Sequence, residues 1–177
     1  MEINKYSVAY EKPGRNLALI RDCVVHYDAH LNCAENIFEM MCDIFHADIM
    51  LDEHIWIIGL DNKLNCSGVF EVSHGEKTRS LVPVREIMRD LLMIDAISFS
   101  MVHNHPSGDI TPSHDDCETT TRLKEVSSII GITFVDHIII GDGVFYSFKS
   151  DGYKLWRKTH RLACGMKAAF LYKFSRS

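Results

Sequence analysis

Hydrophobic positions along the chain follow two spacings, which predict a mixture of strands and helices. Short aliphatic and β-branched runs bounded by turn residues predict strands, whereas apolar positions repeated every three to four residues predict helices. The predicted strands span residues 17–27, 54–60, 64–73, 97–103, 132–140 and 144–149. The predicted helices span residues 33–45, 84–94 and 113–130.

The residues at the element ends agree with this pattern. Asn32 is a candidate N-cap for the first helix, Pro83 precedes the second, and Gly131 stops the third. Turns at 61–63 and 141–143 join neighbouring strands into hairpins, which are antiparallel. The element order therefore predicts a single-domain α/β fold with a mixed, α+β type of sheet, rather than a doubly wound parallel sheet.

Length and composition fit one globular domain. The chain has 177 residues, of which 46% are hydrophobic and 24% are charged, a balance that is typical of a domain with one buried core. The first sixteen residues are charged where a signal peptide would be apolar, and the apolar runs are far shorter than the ~20 residues of a membrane span. Six widely spaced cysteines without a C-x-x-C motif predict reduced, mostly buried thiols. We therefore expect a cytoplasmic protein that does not enter a membrane.

Charge is distributed unevenly along the chain. The net charge is −5, but residues 156–177 carry +6 and contain no acid, which leaves −11 for residues 1–155. An acidic body repels a phosphate backbone, so only this basic C-terminal tail is a candidate contact for nucleic acid. A solvated extension, or one docked on a partner, explains the tail equally well.

The candidate chemistry lies in the segment VHNHPSGDITPSHDD at 102–116. His103 and His105 stand two residues apart at the end of a predicted strand, so both imidazoles point to the same side of the sheet. Asp116 follows in the first turn of the next helix, from which its carboxylate can reach back. Two histidines and one carboxylate, with water in the fourth position, are typical of catalytic zinc. The pattern predicts one Zn²⁺ per chain.

Each half of this pattern also has a simpler explanation. A His-x-His pair on a strand is more often ordinary, and the sequence from Ser113 to Asp116 is a capping box that needs no metal. The combined string H-x-H-x₇-S-x-x-D is much less common by chance than either half. On the helix, His114 and Asp115 would point about 100–200° away from Asp116. Four further polar residues have two possible interpretations, a supporting role at the site or a purely structural role in a turn or strand. They are Asn104, Asp109, Asp136 and His137.

The combined string resembles the JAMM motif of the JAB/MPN metalloproteases, and HNHPSGD followed by PS and D is similar to the RadC branch of that superfamily. The stretches IIGLDNK (57–63), VREI (84–87) and DHIIIGDGVFYSF (136–148) also resemble RadC segments in the same order. One departure is Pro83-Val84, where RadC-like chains have His-Pro. The resemblance implies a JAB/MPN-like fold in three layers, similar to that of the cytidine deaminases. It divides the chain into an N-terminal extension with one predicted strand (1–34), a RadC-like domain (35–152) and a basic tail (153–177).

The resemblance also implies an activity. A protein of this superfamily would be a zinc-dependent metallopeptidase or isopeptidase that cleaves an amide bond of a peptide or protein substrate with metal-activated water. It would use an upstream glutamate as general base, for which Glu71 is the preferred candidate. Ser113 would stabilise the oxyanion or orient the water. The alternatives for the general base are Glu53, Glu76 and Glu86.

Three other functions fit parts of the sequence. Non-haem iron oxygenases use two histidines and a carboxylate, but on all-β barrels, and an amidohydrolase barrel needs ~250 residues. The third alternative is a DNA-associated accessory protein of the repair type, in which the metal site is structural or vestigial and the tail contacts phosphate. The sequence does not indicate the substrate or the oligomeric state.

Overall fold

The computed structural model describes residues 1–11, 16–27, 30–75 and 82–151. The basic tail and Glu76 lie outside the described residues. The elements in chain order are β1 Glu2–Glu11, β2 Asn16–His26, α1 Ala34–Phe45, β3 His54–Leu60, β4 Cys66–His74, α2 Val84–Met93, β5 Ser98–Asn104, α3 His114–Ile130, β6 Thr133–Ile140 and β7 Phe145–Ser147. Every predicted helix and strand is present, with ends that differ by at most a few residues.

The strands form one mixed sheet in the order β2-β1-β4-β3-β5-β6-β7. The pairs β1–β4 and β5–β6 are parallel, and the other neighbours are antiparallel. This arrangement confirms the predicted α/β class with a mixed sheet. It also separates β4 from β5, because β3 lies between them.

Helices cover both faces of the sheet and create three layers. On one face, α1 packs its buried methionines and Ile37 against Trp56 and Val102. On the other face, α2 and α3 pack against Met101 and Phe99 through residues such as Leu123. Successive strand residues point to opposite faces, so His103 lies on the face that carries α3.

The ends of α3 follow the sequence signals. Ser113 caps the helix, with its side chain accepting from the Asp116 N–H, and Gly131 ends it at a φ of 86°, which a glycine adopts without strain. The prediction for α1 is wrong by one residue, because Cys33 occupies the N-cap position without a side-chain hydrogen bond. The Asn32 carboxamide instead accepts from the Asn36 side chain at 3.0 Å.

The N-terminal extension contains two strands instead of the single predicted one. β1 pairs along its whole length with β2 and joins the main sheet beside β4, where Lys5 stands opposite Val69. The expectation of mostly buried thiols is wrong for the described cysteines. Cys23 and Cys33 are exposed, the other three are partly buried, and all five are free. Among the residues described, no helix has the length and apolar character needed to cross a membrane.

Candidate metal centre

The first two candidate ligands lie where β5 leaves the sheet. β5 is buried along its whole length, since it lies between β3 and β6 under helices on both faces. His105 follows directly, and its N–H donates to the Ile140 carbonyl at 2.8 Å, which continues the pairing with β6. The loop then passes so close to the turn after β6 that a Cβ at Gly141 would stand 2.5 Å from the Gly108 carbonyl oxygen. Glycine at 141 therefore lets the loop fold back toward α3.

Asp116 is fixed by the capping box of α3. One of its oxygens, Oδ2, accepts from the Ser113 N–H at 2.7 Å and from the Ser113 hydroxyl at 2.6 Å. In return, the Asp116 N–H donates to the Ser113 hydroxyl oxygen at 3.2 Å. The capping box and the ligand hypothesis are thus compatible, because the same hydrogen bonds that start the helix aim the carboxylate at the end of β5.

The three predicted ligands converge. The two Nε2 atoms of His103 and His105 are 2.9 Å apart. His103 Nε2 lies 3.3 Å from Asp116 Oδ1, and His105 Nε2 lies 3.7 Å from Asp116 Oδ2. These atoms form a group that could hold a metal ion. We call these three residues the metal-site cluster.

The hydrogen bond made by Nδ1 of His105 indicates which kind of ion this cluster can bind. Its Nδ1 lies 2.5 Å from the carbonyl oxygen of Asp109, and because a carbonyl only accepts, Nδ1 must carry the hydrogen. A neutral His105 then directs an Nε2 lone pair toward His103 and the carboxylate. Either a proton or a metal ion has to lie between these electron-rich atoms, and imidazole nitrogen with a carboxylate oxygen fits Zn²⁺.

The electrostatics of Asp116 favour the charged form. Burial alone would raise the pKa of its carboxyl group, but the hydrogen bond with His105, the charge of His103 and the bonds from Ser113 hold that pKa well below its usual range. The group is therefore ionised at neutral pH. Metal ligands must be in this deprotonated state to bind.

A second row of buried side chains supports His103. Its Nδ1 lies 2.8 Å from His137 Nε2, and His137 Nδ1 lies 2.6 Å from the Thr120 hydroxyl. Burial and the neighbouring charge of His103 lower the pKa of His137 well below its usual value, so this ring is neutral. The sequence left His137 open as a strand or supporting residue and missed Thr120, although Thr120 lies one helical turn after Asp116 and so on the same side of α3.

The structure does not bring Glu71 to this cluster. Glu71 stands opposite Trp56, which stands opposite Val102, so its side chain lies on the α1 face while His103 faces α3. There it accepts from Lys5 Nζ and contacts His54 Nδ1, both at 2.8 Å. The prediction rested on β4 lying beside β5, and the intervening β3 together with the strand alternation corrects it.

The two other described candidates for the general base, Glu53 and Glu86, lie in different places. Glu86 on α2 lies beside Tyr10 and Leu17 of the β1–β2 hairpin. Glu53 directly precedes β3, and strand alternation places it on the face of Ile55, which stands opposite His103. The Oε2 atom of Glu53 is buried. Of the three described candidates, Glu53 is therefore the one that strand alternation places beside the strand of His103 and on the face of that residue.

Other polar residues around the motif have defined positions. His114 and Asp115 have almost fully exposed side chains and face each other at 3.9 Å, so they point away from the cluster as expected. Asn104 bonds to the backbone on both sides of Glu53. Its Oδ1 accepts from the His54 N–H at 2.7 Å, and its Nδ2 donates to the Asp52 carbonyl at 2.9 Å.

Comparison with known proteins shows which family the domain belongs to. A sequence model of the RadC-like JAB domain matches residues 31–153, more than half of the chain. The chain belongs to the RadC-like JAB domain family. Among its curated relatives are UPF0758 proteins, whose names state no activity.

Three of these relatives show the extent of the similarity. The Clostridium acetobutylicum protein is 43% identical over 100 residues, which cover 56% of this chain and 44% of the relative. The Clostridium perfringens protein is 45% identical over 101 residues, covering 57% and 44%. The Thermotoga maritima protein is 40% identical over 100 residues, covering 56% and 45%. This RadC-like chain thus matches less than half of the length of each relative.

Proposed function

We propose that this RadC-like JAB protein is a zinc-dependent hydrolase that cleaves amide bonds in a peptide or protein. The observation that carries the proposal is the convergence of two imidazole Nε2 atoms and a carboxylate within 2.9–3.7 Å of one another. His105 contributes a lone pair whose direction is set by the Asp109 carbonyl. Three protein ligands are typical of catalytic zinc, whereas structural zinc is usually closed by four.

His103, His105 and Asp116 would hold the ion. When bound, zinc supplies Lewis-acid chemistry, which lowers the pKa of water from ~15.7 toward ~7 and makes a nucleophile available at neutral pH. Ser113 keeps Asp116 aimed, because its hydroxyl and its N–H both donate to Oδ2. The predicted role of Ser113 in stabilising an oxyanion stays a prediction, and its hydroxyl hydrogen is directed at the carboxylate in this structure.

Glu53 is the general base in this proposal. Continuing the antiparallel register of Ile55 with His103 by two residues places Glu53 opposite His105. A carboxylate there can accept a proton from the attacking water and return it to the leaving amine, work that is commonly worth 10²–10⁴-fold in rate. The Oε2 atom of Glu53 is buried, so bulk water has little contact with that side of the carboxylate.

Asn104 holds this base in place. It lies between His103 and His105 in the sequence, but its side chain binds the peptide groups of Asp52 and His54 on either side of Glu53. The residue between the two histidine ligands thus fixes the backbone that carries the base. A site of this kind needs positions held within about half an ångström, and the two hydrogen bonds of Asn104 act in that direction.

The substrate is proposed only by class. A zinc site with a carboxylate base suits hydrolysis of a peptide or isopeptide bond, and the loop after β4 that would contact the substrate is partly outside the described residues. The basic tail, through which a nucleic acid would bind, also lies outside them. The DNA-associated alternative therefore stays a prediction from the sequence.

Metal content and cleavage test the proposal together. The purified full chain should contain about one zinc ion per molecule and should cleave members of a random peptide library, and a chelator should abolish the cleavage. Asp116→Asn should lose both properties, because an amide is a poor replacement for a charged ligand. The exposed neighbour Asp115→Asn is the matched control and should retain both. Wild-type protein that binds no stoichiometric metal would overturn the proposal.

A further inference from the structure

Behind His103, the buried side chains of His137 and Thr120 form a chain of hydrogen bonds. Their geometry determines which ring nitrogen carries each hydrogen. The Thr120 hydroxyl lies 2.6 Å from the Asp116 carbonyl oxygen and 2.6 Å from His137 Nδ1. A hydroxyl has one hydrogen, and the carbonyl can only accept it. Thr120 therefore donates to Asp116 and must accept from His137, so Nδ1 of His137 carries a hydrogen.

The same reasoning extends to the metal ligand. His137 is fully buried, and burial disfavours the charged ring, so a hydrogen on Nδ1 leaves its Nε2 with a lone pair. That Nε2 lies 2.8 Å from His103 Nδ1, which must then donate. Nε2 of His103 faces His105 and Asp116 and holds its lone pair there once the proton shared within the cluster is lost or replaced by a metal ion.

We propose that Thr120 and His137 are positioning residues that fix His103 in the tautomer with hydrogen on Nδ1, so that the lone pair for a metal is on Nε2. This inference rests on the proposed function for its purpose, but the tautomer itself is a property of the metal-free protein. Neither residue contacts the ion in this scheme. They act through His103, in the way that partners of metal-bound histidines set ring orientation and basicity.

The arrangement gives α3 two roles in one site. Its first turn supplies the carboxylate of Asp116, and the next turn supplies the hydroxyl that orders the hydrogens of His137 and His103. The hydroxyl donates to the backbone of Asp116 itself. The ligand from the helix and the ligand from β5 are therefore coupled through three hydrogen bonds, and a shift of the helix would disturb both.

The neighbouring threonine provides a matched control. Thr121 makes the same type of bond to the backbone four residues earlier, from its hydroxyl to the Cys117 carbonyl at 2.9 Å. It is exposed and lies on another side of the helix from His137. Replacing either threonine by valine removes one hydroxyl at nearly constant shape, but only the change at Thr120 removes the acceptor for His137.

The experiment measures the tautomer and the zinc affinity separately. Long-range ¹H–¹⁵N spectra of the metal-free full chain show which ring nitrogen of His103 carries hydrogen, and competition with a chelator gives the zinc affinity. We expect wild type and Thr121→Val to show hydrogen on Nδ1. Thr120→Val should populate the other tautomer and bind zinc about tenfold more weakly, at the lower end of the 10–100-fold range for such partners. Thr120→Ser, which keeps a hydroxyl, should restore both within about twofold.

The outcomes separate this inference from the proposed function. If Thr120→Val leaves the His103 tautomer unchanged, the inference is overturned, whatever the zinc affinity is. If wild type binds no zinc, the proposed function fails, and the spectra of the metal-free proteins still decide the tautomer. Thr120→Ala is a second variant with the same expectation, and thermal unfolding of each metal-free variant shows that it is folded.

Discussion

Two clusters on opposite faces of one sheet combine a carboxylate with histidine, and they differ in the source of positive charge. The metal-site cluster lies on the face of α3, with Asp116 against two imidazoles. The second, which we call the ion-pair cluster, consists of Lys5, His54 and Glu71 on the face of α1. In the ion-pair cluster, the lysine ammonium lies 2.8 Å from the carboxylate. In the described part of the chain, Asp116 has no lysine or arginine partner.

Burial reinforces this difference. The side chains of His103 and Asp116 are 1% and 13% exposed, whereas those of Lys5 and Glu71 are 29% and 23% exposed. The more buried carboxylate of the two needs a charged partner more, because water screens it less. The ion-pair cluster is electrostatically complete with its own lysine. The metal-site cluster needs positive charge from protons on its imidazoles or from a bound cation.

The largest expected effect is therefore on metal binding, and matched histidine variants reveal it. His105→Ala should reduce zinc content from about one ion per chain to a small fraction, because it removes one of three ligands. His54→Ala, in the ion-pair cluster, should retain full zinc content. Elemental analysis of the two purified variants after dialysis makes the comparison. Equal zinc content in both would show that the metal lies elsewhere.

The next effect is on catalysis, where the two faces are compared through their glutamates. Glu53→Gln should keep the zinc but lower kcat for the cleaved peptide by about 10²–10⁴-fold, because the amide cannot accept the proton from water. Glu71→Gln should keep the rate within about twofold, since its carboxylate lies on the α1 face. Initial rates at saturating peptide, with zinc content measured on the same samples, test this. The reverse order of the two rates would restore Glu71 as the base.

The preferred candidate Glu71 lies away from the cluster, whereas strand alternation places the alternative Glu53 on its face. This contrast shows which parts of the site can be predicted from sequence. The group of His103, His105 and Asp116 depends on local rules, the alternation of a strand and the first turn of a capped helix, and these residues were predicted to converge. The general base depends on which strand lies beside β5 and which face each residue takes. Those are decided by pairing between segments far apart in the sequence, and β3, not β4, is the neighbour of β5.

The secondary-structure elements divide in the same way, into those that local sequence patterns predict and those that depend on distant pairing. The strands with continuous apolar runs, such as His54–Leu60, were predicted because burial on both faces demands that composition. β1 was missed because EINKYSVAYE mixes charged and apolar residues, and of these ten residues Ile3 alone is buried. Its strand conformation comes from pairing with β2 and β4, which a local pattern does not show. Thr120 was missed for a related reason, since its partner His137 lies on a different element.

The smallest expected effect is on stability, in the ion-pair cluster. Burial alone would raise the pKa of Glu71, but the hydrogen bonds from Lys5 and His54 outweigh it and lower that pKa. A carboxyl group whose pKa is lower in the folded state stabilises the fold above its unfolded pKa of ~4.3, and the contribution is lost as the pH falls through the folded value. Glu71→Gln should therefore lower the free energy of unfolding by up to about 1 kcal/mol at pH 7.

A double-mutant cycle with Lys5→Met isolates the pair. Because Lys5 on β1 contacts Glu71 on β4, the coupling free energy between the two residues should be measurable at pH 7. It should shrink toward zero in acid, once the pH has fallen through the lowered pKa of the folded carboxyl group. Urea unfolding of the four proteins at both pH values gives the coupling, and added salt should weaken it because both side chains are partly exposed. At pH 7 the four proteins should contain the same amount of zinc. A coupling that persists unchanged in acid would mean that the contact stabilises the hairpin through packing of the lysine stem and not through charge.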